Sequence, residues 1–156
     1  MSPAIFLDAN IPIYAAGRPH AFKKPCSEIL LLASEHADSF ITDAEVLQEL
    51  LHRYLALRLW EQGREVFSHF ADLMRERVEP VYAVDVEFAA SLAGQHAGLG
   101  ARDLLHAAVM SRLGVRHIAS ADAGFDRMPD IERLDPSKLE SWRRAITGES
   151  KCPPSR

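Results

Sequence analysis

Near its start the chain carries Ile5-Phe6-Leu7, three apolar residues with no polar alternation, and the run closes on Asp8. An unbroken apolar run suits a central strand of a parallel sheet covered on both faces; a half-exposed strand would alternate. In open α/β sheets the carboxyl ends of the strands border the crevice where ligands bind. A carboxylate at that edge is costly to desolvate unless something compensates its charge. The question for the remaining sequence is whether other carboxylates arrive at the same place.

Read in order, the chain alternates strand and helix signals. Pro12 suits the first turn of a short helix over 11–15, and 17–24 reads as a loop. Pro25 opens a helix to about His36, and Phe40-Ile41 is a short strand. Thr42-Asp-Ala-Glu45 matches a capping box, with Thr42 as the cap and Glu45 reaching back. That helix runs to about Trp60 with Leu47, Leu50, Leu51, Tyr54 and Leu55 on one face, and Gly63 breaks it. A second amphipathic helix covers 64–77. Pro80 to Val84 reads as a strand and Asp85 as the N-cap of a helix to about Ala97. Gly98-Leu-Gly100 turns into a helix over 101–113 that Gly114 ends. Arg116 to Ser120 is a strand, 122–126 a loop, Ile131 to Leu134 an edge strand and 137–146 a terminal helix. A disordered tail over 148–156 completes the chain. This alternation predicts an α/β fold with a mainly parallel sheet, as one domain over 1–136 with a C-terminal helix and tail over 137–156.

The 156 residues are enough to bury a core without staples, and 47% hydrophobic with 26% charged residues is ordinary globular composition. No apolar run reaches the roughly 20 residues that span a bilayer, and no signal-peptide pattern is present, which points to the cytoplasm. Cys26 and Cys152 have no metal-ligand spacing, so neither a zinc site nor a disulfide framework is indicated. A formal charge of −4 argues against a general nucleic-acid coat but not against an enzyme that meets nucleic acid through bound cations.

Asp8 and Asp122 both follow strands, although Asp122 equally suits the start of a turn. Asp103 opens a helix that is apolar almost all the way round, where it either serves the helix N-terminus or lines a buried site. His106, three residues on, reads as a satisfied core histidine or one supporting a ligand. Glu49 lies opposite the Leu47/Leu51/Tyr54 face and either pairs weakly with Arg53 or does chemistry. Glu45 already has a structural role in the capping box. Taken together, two strand ends and two helices bring four carboxylates towards one crevice. Like charges at close range raise one another's pKa unless cations neutralise them. Oxygen donors without a Cys or His cluster point to Mg²⁺ or Mn²⁺, ions suited to displacement at phosphorus.

Asp8-Ala-Asn10 after an N-terminal strand, Glu49 in Glu45-Val-Leu-Gln-Glu49-Leu, Asp103 in Ala101-Arg-Asp-Leu-Leu-His-Ala-Ala108, and Ser120-Ala-Asp122-Ala-Gly-Phe125 together resemble the PIN domain over roughly 1–136. Size and arrangement look most like the VapC toxins of bacterial toxin–antitoxin pairs. The resemblance implies a three-layer α/β/α sandwich and a Mg²⁺- or Mn²⁺-dependent endoribonuclease. It implies that Asp8, Glu49, Asp103 and Asp122 form the catalytic metal site, with Asn10, Thr42 and Ser120 as polar support. Many relatives carry a second acidic residue just before the Phe of the last motif. Here that position is Gly124, which leaves Asp126 as a possible substitute and the number of metals open.

The partners implied are RNA, a cognate antitoxin and a second copy of the chain, since the helices between Pro25 and Arg77 carry more apolar residues than one sheet face needs. Arg53, Arg58, Arg64, Arg102 and the Lys23-Lys24 loop are the candidate guides for RNA. A PIN nuclease of RNA processing without an antitoxin, and a PIN-type scaffold without catalysis, are the alternative readings. Response-regulator chemistry would need a Lys after a late strand, yet none occurs between Lys24 and Lys138. A haloacid-dehalogenase-like phosphatase would need Asp-x-Asp where this chain has Asp8-Ala-Asn10. Dinucleotide binding lacks its glycine fingerprint.

Overall fold

A computed structural model describes residues 4–148. The opening apolar run is strand β1 (Ile5–Leu7), and all three of its residues are buried. It lies at the centre of a five-stranded sheet in the order β3-β2-β1-β4-β5, with β2 Phe40–Asp43, β3 Val78–Glu79, β4 His117–Ala119 and β5 Glu132–Leu134. Every pairing in it is parallel. Helices flank the sheet, so its middle strands carry apolar residues on both faces: Phe6, Leu7, Phe40 and Ile118 all belong to one core cluster. Because the strands run the same way, the residues after β1, β2 and β4 emerge at one edge.

The helices are α1 (Asn10–Ala16), α2 (Lys23–Glu35), α3 (Ala44–Ala56), α4 (Trp60–Leu73), α5 (Ala83–Ala93) and α6 (Ala101–Leu113). Gly114, at φ 69, ends α6 as its left-handed cap. The predicted single helix over 137–146 is instead a 3₁₀ turn (Pro136–Lys138) followed by α7 (Leu139–Trp142) and α8 (Arg144–Thr147). Leu139 is part of the core, and the Trp142 indole donates to the Asp135 carbonyl. Most of the predicted tail, residues 149–156 with Cys152, lies outside the described residues.

Thr42 does not cap α3: β2 extends through Asp43, and it is Asp43 whose side chain accepts from the Val46 N–H. The Thr42 hydroxyl donates to the Leu7 carbonyl and ties β2 to the end of β1. Gly63 does not break a helix. It lies buried inside α4, where a Cβ would come within 2.1 Å of the Tyr54 ring, so glycine serves the close approach of α3 and α4. The break falls earlier, at Arg58, which takes a left-handed φ of 56.

The strand expected over 80–84 is displaced to Val78–Glu79, and α5 begins at Ala83. Asp85 is not its N-cap but lies one turn in, buried, accepting the Tyr82 N–H at 2.8 Å. Arg112 of α6 donates to both Asp85 oxygens, at 2.8 and 3.2 Å, and stacks over the Tyr82 ring. The Val81-Tyr82-x-Val84 pattern that suggested a strand puts Tyr82 and Val84 on the outside of the molecule.

The Arg112 hydrogen bonds hold the Asp85 carboxyl below its usual pKa, against the opposing effect of its burial. A lowered folded-state pKa means this pair stabilises the fold fully above the unfolded value near about 4, and the contribution is lost as pH falls through the folded value. Asp85→Asn is therefore expected to lower stability by about 2 kcal/mol at pH 7, with the gap to wild type closing below about pH 4 in urea melts. An equal gap at every pH would contradict the role given to this pair.

Candidate functional site

Asp8 follows β1 directly and is almost wholly buried. One of its oxygens accepts the Ala9 N–H at 2.8 Å; the other accepts the Ser120 hydroxyl at 2.6 Å and the Asn10 amide at 3.0 Å. Asn10 and Ser120 bond to each other, the Asn10 carbonyl oxygen accepts the Ala121 N–H, and the Ser120 hydroxyl oxygen accepts the Asp122 N–H. The ends of β1 and β4 are thus stitched together, and Asp122 is set beside Asp8. Asp122 is exposed, and one of its oxygens accepts the Gly124 N–H at the start of a 3₁₀ turn (Ala123–Arg127).

The absence of an intervening loop between β2 and α3 delivers Glu49 to the same edge. Ligand atoms of Asp8, Glu49 and His106 all lie within 4.8 Å of one another. The His106 Nε2 is 3.6 Å from a Glu49 oxygen and 3.9 Å from an Asp8 oxygen. Asp103, in the first turn of α6, is not one of these three but lies within their electrostatic reach. Burial and then the charges of Asp8 and Asp122 push its pKa up to about 6, and Glu49 adds to this. Burial likewise raises the Asp8 pKa and Glu49 adds to the effect, while His106 and the Ser120 hydrogen bond pull it down. Asp103 thus feels the charges of Asp8, Asp122 and Glu49, and Asp8 feels that of Glu49.

Thr42 is buried beneath this edge on the Leu7 carbonyl. Asp126 does not join the group. Both of its oxygens are taken by Arg133, at 2.9 and 3.0 Å, which also holds the Ser120 carbonyl. Of the two readings open for Asp126, a substitute acid or a surface group, this pairing with Arg133 favours the surface group. At Gly124 itself a Cβ would meet Asp122 at 3.1 Å and Leu99 at 3.2 Å, so the turn leaves little room for another side chain.

Asp43 escaped the sequence reading of the site, and His106 was read there only as a core or supporting histidine. Asp43 is fully buried, and its second oxygen accepts from His106 Nδ1 at 2.8 Å. His106 is equally buried, against the Phe6 ring, and its Nε2 has no hydrogen-bond partner. Burial disfavours the imidazolium, but the Asp43 hydrogen bond, Glu49 and the charge of Asp8 outweigh it and push the pKa up to about 10. Histidine is the sole polar residue between Leu104 and Met110, and that isolation was the available signal.

The candidate RNA guides are partly committed elsewhere. Lys23 is inside α2, and its ammonium caps the end of α1 by donating to the carbonyls of Ala15 and Gly17. Arg64 pairs with Glu61 at the surface. Arg102 lies 3.6 Å from Glu45, whose pKa is raised by burial against the pull of His106 and Arg102.

A cluster of oxygen donors with one buried, unpartnered imidazole nitrogen fits a divalent cation: it offers hard ligands, excess negative charge and an orphaned polar atom aimed at the same point. Among known proteins, the sequence matches the PIN domain over residues 5–131. It is 38% identical over 130 residues to VapC ribonuclease Mb1869c of Mycobacterium bovis, covering 83% of this chain and 98% of that protein. It is 42% identical over 121 residues to ribonuclease VapC23 of Mycobacterium tuberculosis, covering 76% and 92%. A toxin–antitoxin complex from Klebsiella pneumoniae shares the fold with a TM-score of 0.58 at 14% identity, over 85% of this chain and 98% of that one. With its parallel sheet, its acidic edge and these matches over most of its length, the chain belongs to the PIN domain family.

Proposed function

We propose that the chain is a Mg²⁺- or Mn²⁺-dependent endoribonuclease and the toxin of a toxin–antitoxin pair. The observation that carries this reading is the meeting of Asp8, Glu49 and His106 within 4.8 Å at the carboxyl edge of the sheet, in a chain similar to VapC ribonucleases along nearly their whole length. Asp8, Glu49 and Asp103 would hold the ion, and Asp122 would serve the same ion or a neighbouring one. When bound, a divalent ion supplies Lewis acidity at a phosphodiester and an activated water.

The residues around the ligands supply placement. Ser120, Asn10 and the Ala9 N–H fix the Asp8 carboxylate, so its oxygens need not reorganise when substrate arrives. Thr42 holds the end of β2 to that of β1, which sets the spacing between Glu49 and Asp8. Arg102, on the same helix as Asp103, is the basic group nearest in sequence to the acidic crevice and would meet the RNA backbone from beside it.

Two surfaces with exposed apolar residues suit protein partners. A cleft of about 1350 Å³ runs between α1 and the α3–α4 pair, lined by Ile13, Leu30, Tyr54, Leu57, Leu59 and Phe70. Leu57 and Leu59 at its rim are exposed, as an antitoxin segment seated there would require. On α5 and the residue before it, Tyr82, Val84, Val86 and Phe88 are each exposed, and Val84 and Phe88, one turn apart, share a face that a second copy of the chain would cover.

Asp8→Asn keeps the shape of the side chain and removes its charge. It is expected to abolish Mg²⁺- or Mn²⁺-dependent RNA cleavage, a loss of at least about a hundredfold, with the circular-dichroism spectrum unchanged. A folded variant that still cuts RNA at the wild-type rate would refute the assignment. Light scattering of the chain alone is expected to give twice its 17.4 kDa mass; a monomer at working concentration would remove the second copy from the account.

A further inference from the structure

We propose that His106 is itself a ligand of the ion through Nε2, which makes the centre a mixed oxygen–nitrogen site and gives it a preference for Mn²⁺ over Mg²⁺. The inference rests on the metal reading above and adds a residue and a selectivity to it. It starts from an unsatisfied atom. Nε2 is buried, has no hydrogen-bond partner, and faces oxygens of Glu49 at 3.6 Å and Asp8 at 3.9 Å. Those separations are too long for hydrogen bonds. They fall within the range of about 3 to 4 Å that separates donors sharing one small ion. Leaving a buried nitrogen without a partner costs free energy that the metal-loaded site would recover.

The other ring nitrogen supplies the second half of the argument. A carboxylate only accepts, so His106 Nδ1 carries a hydrogen in its 2.8 Å bond to Asp43, and Nε2 is the nitrogen that binds once an ion displaces the proton it holds in the absence of metal. Histidines that ligate metals usually donate their remaining N–H to a carboxylate in this way, which fixes the ring and raises its basicity. Here the orienting group is anchored in turn: Asp43 Oδ1 accepts the Val46 N–H as the cap of α3. The ring also packs against Phe6, 5.2 Å between centroids, and so has no room to swing away. One residue therefore caps the helix that carries Glu49 and orients the histidine on the helix that carries Asp103.

Selectivity follows from donor type. Mg²⁺ favours oxygen and keeps much of its water, whereas imidazole suits the first-row transition ions. A site of carboxylates plus one imidazole favours Mn²⁺ of the two.

Pulsed electron paramagnetic resonance on the Mn²⁺-loaded full chain tests this directly. Directly coordinated nitrogen is expected to give strong nitrogen modulation in the wild type, lost in His106→Asn. That variant keeps a donor where Nδ1 bonds Asp43 and removes Nε2. Calorimetry is expected to show Mn²⁺ affinity falling about tenfold or more in the variant while Mg²⁺ affinity changes far less. Bound Mn²⁺ without nitrogen coupling, or equal losses for both ions, would overturn the proposal and leave His106 a counter-charge to the carboxylates. The wild-type spectrum decides the point even if the variant does not fold. A wild type that binds no Mn²⁺ at all would overturn the metal reading as well.

Discussion

Carboxylates gathered in a poorly hydrated crevice repel one another, and each is also deprived of the water that would stabilise its charge. The structure meets this cost in three ways. Asp8 receives a hydroxyl, an amide and a backbone N–H. His106 places a titratable nitrogen between Asp8, Glu49 and Asp43. Asp122 is left at the solvent edge. Even so, Asp103 is left with its pKa pushed up to about 6 by burial and its neighbours. The parallel sheet makes this arrangement possible, because strands that all run one way deliver their terminal residues to a single edge.

Function and stability are therefore set in different parts of the molecule. The core beneath the edge, with Phe6, Leu7, Phe40 and Ile118, is apolar and continuous. The Asp85–Arg112 pair, which is satisfied on both oxygens, lies between α5 and α6. The acidic edge is the reverse: polar groups are oriented towards a common point and one nitrogen remains without a partner. Unsatisfied buried polar groups are rare in folded proteins, and one that faces a cluster of carboxylates calls for an explanation.

Much of this was legible in the residues. The Ile5–Leu7 run predicted a buried central strand, and Gly114 marked the end of α6. What was misread shares one cause, namely local rules overridden by tertiary contacts. Thr42-x-x-Glu45 has the form of a capping box, but pairing with β3 keeps Thr42 and Asp43 in the strand and moves the cap one residue on. Gly63 looks like a breaker in one dimension and is a contact point between two helices in three. Asp126 lies one residue past the Phe of the last motif, close enough to suggest a substitute acid, yet Arg133, seven residues later, claims it. The Asp43–His106 bond joins residues 63 apart, so no local pattern could reveal it.

If a divalent cation is what makes this edge tolerable to the fold, thermal melting at constant pH should respond to added Mg²⁺ or Mn²⁺. Occupancy at about a hundred times the dissociation constant should add about 2.7 kcal/mol to stability. The wild-type midpoint is expected to rise with either ion, and Asp8→Asn is expected to show no such rise. A wild-type midpoint indifferent to both ions would contradict it.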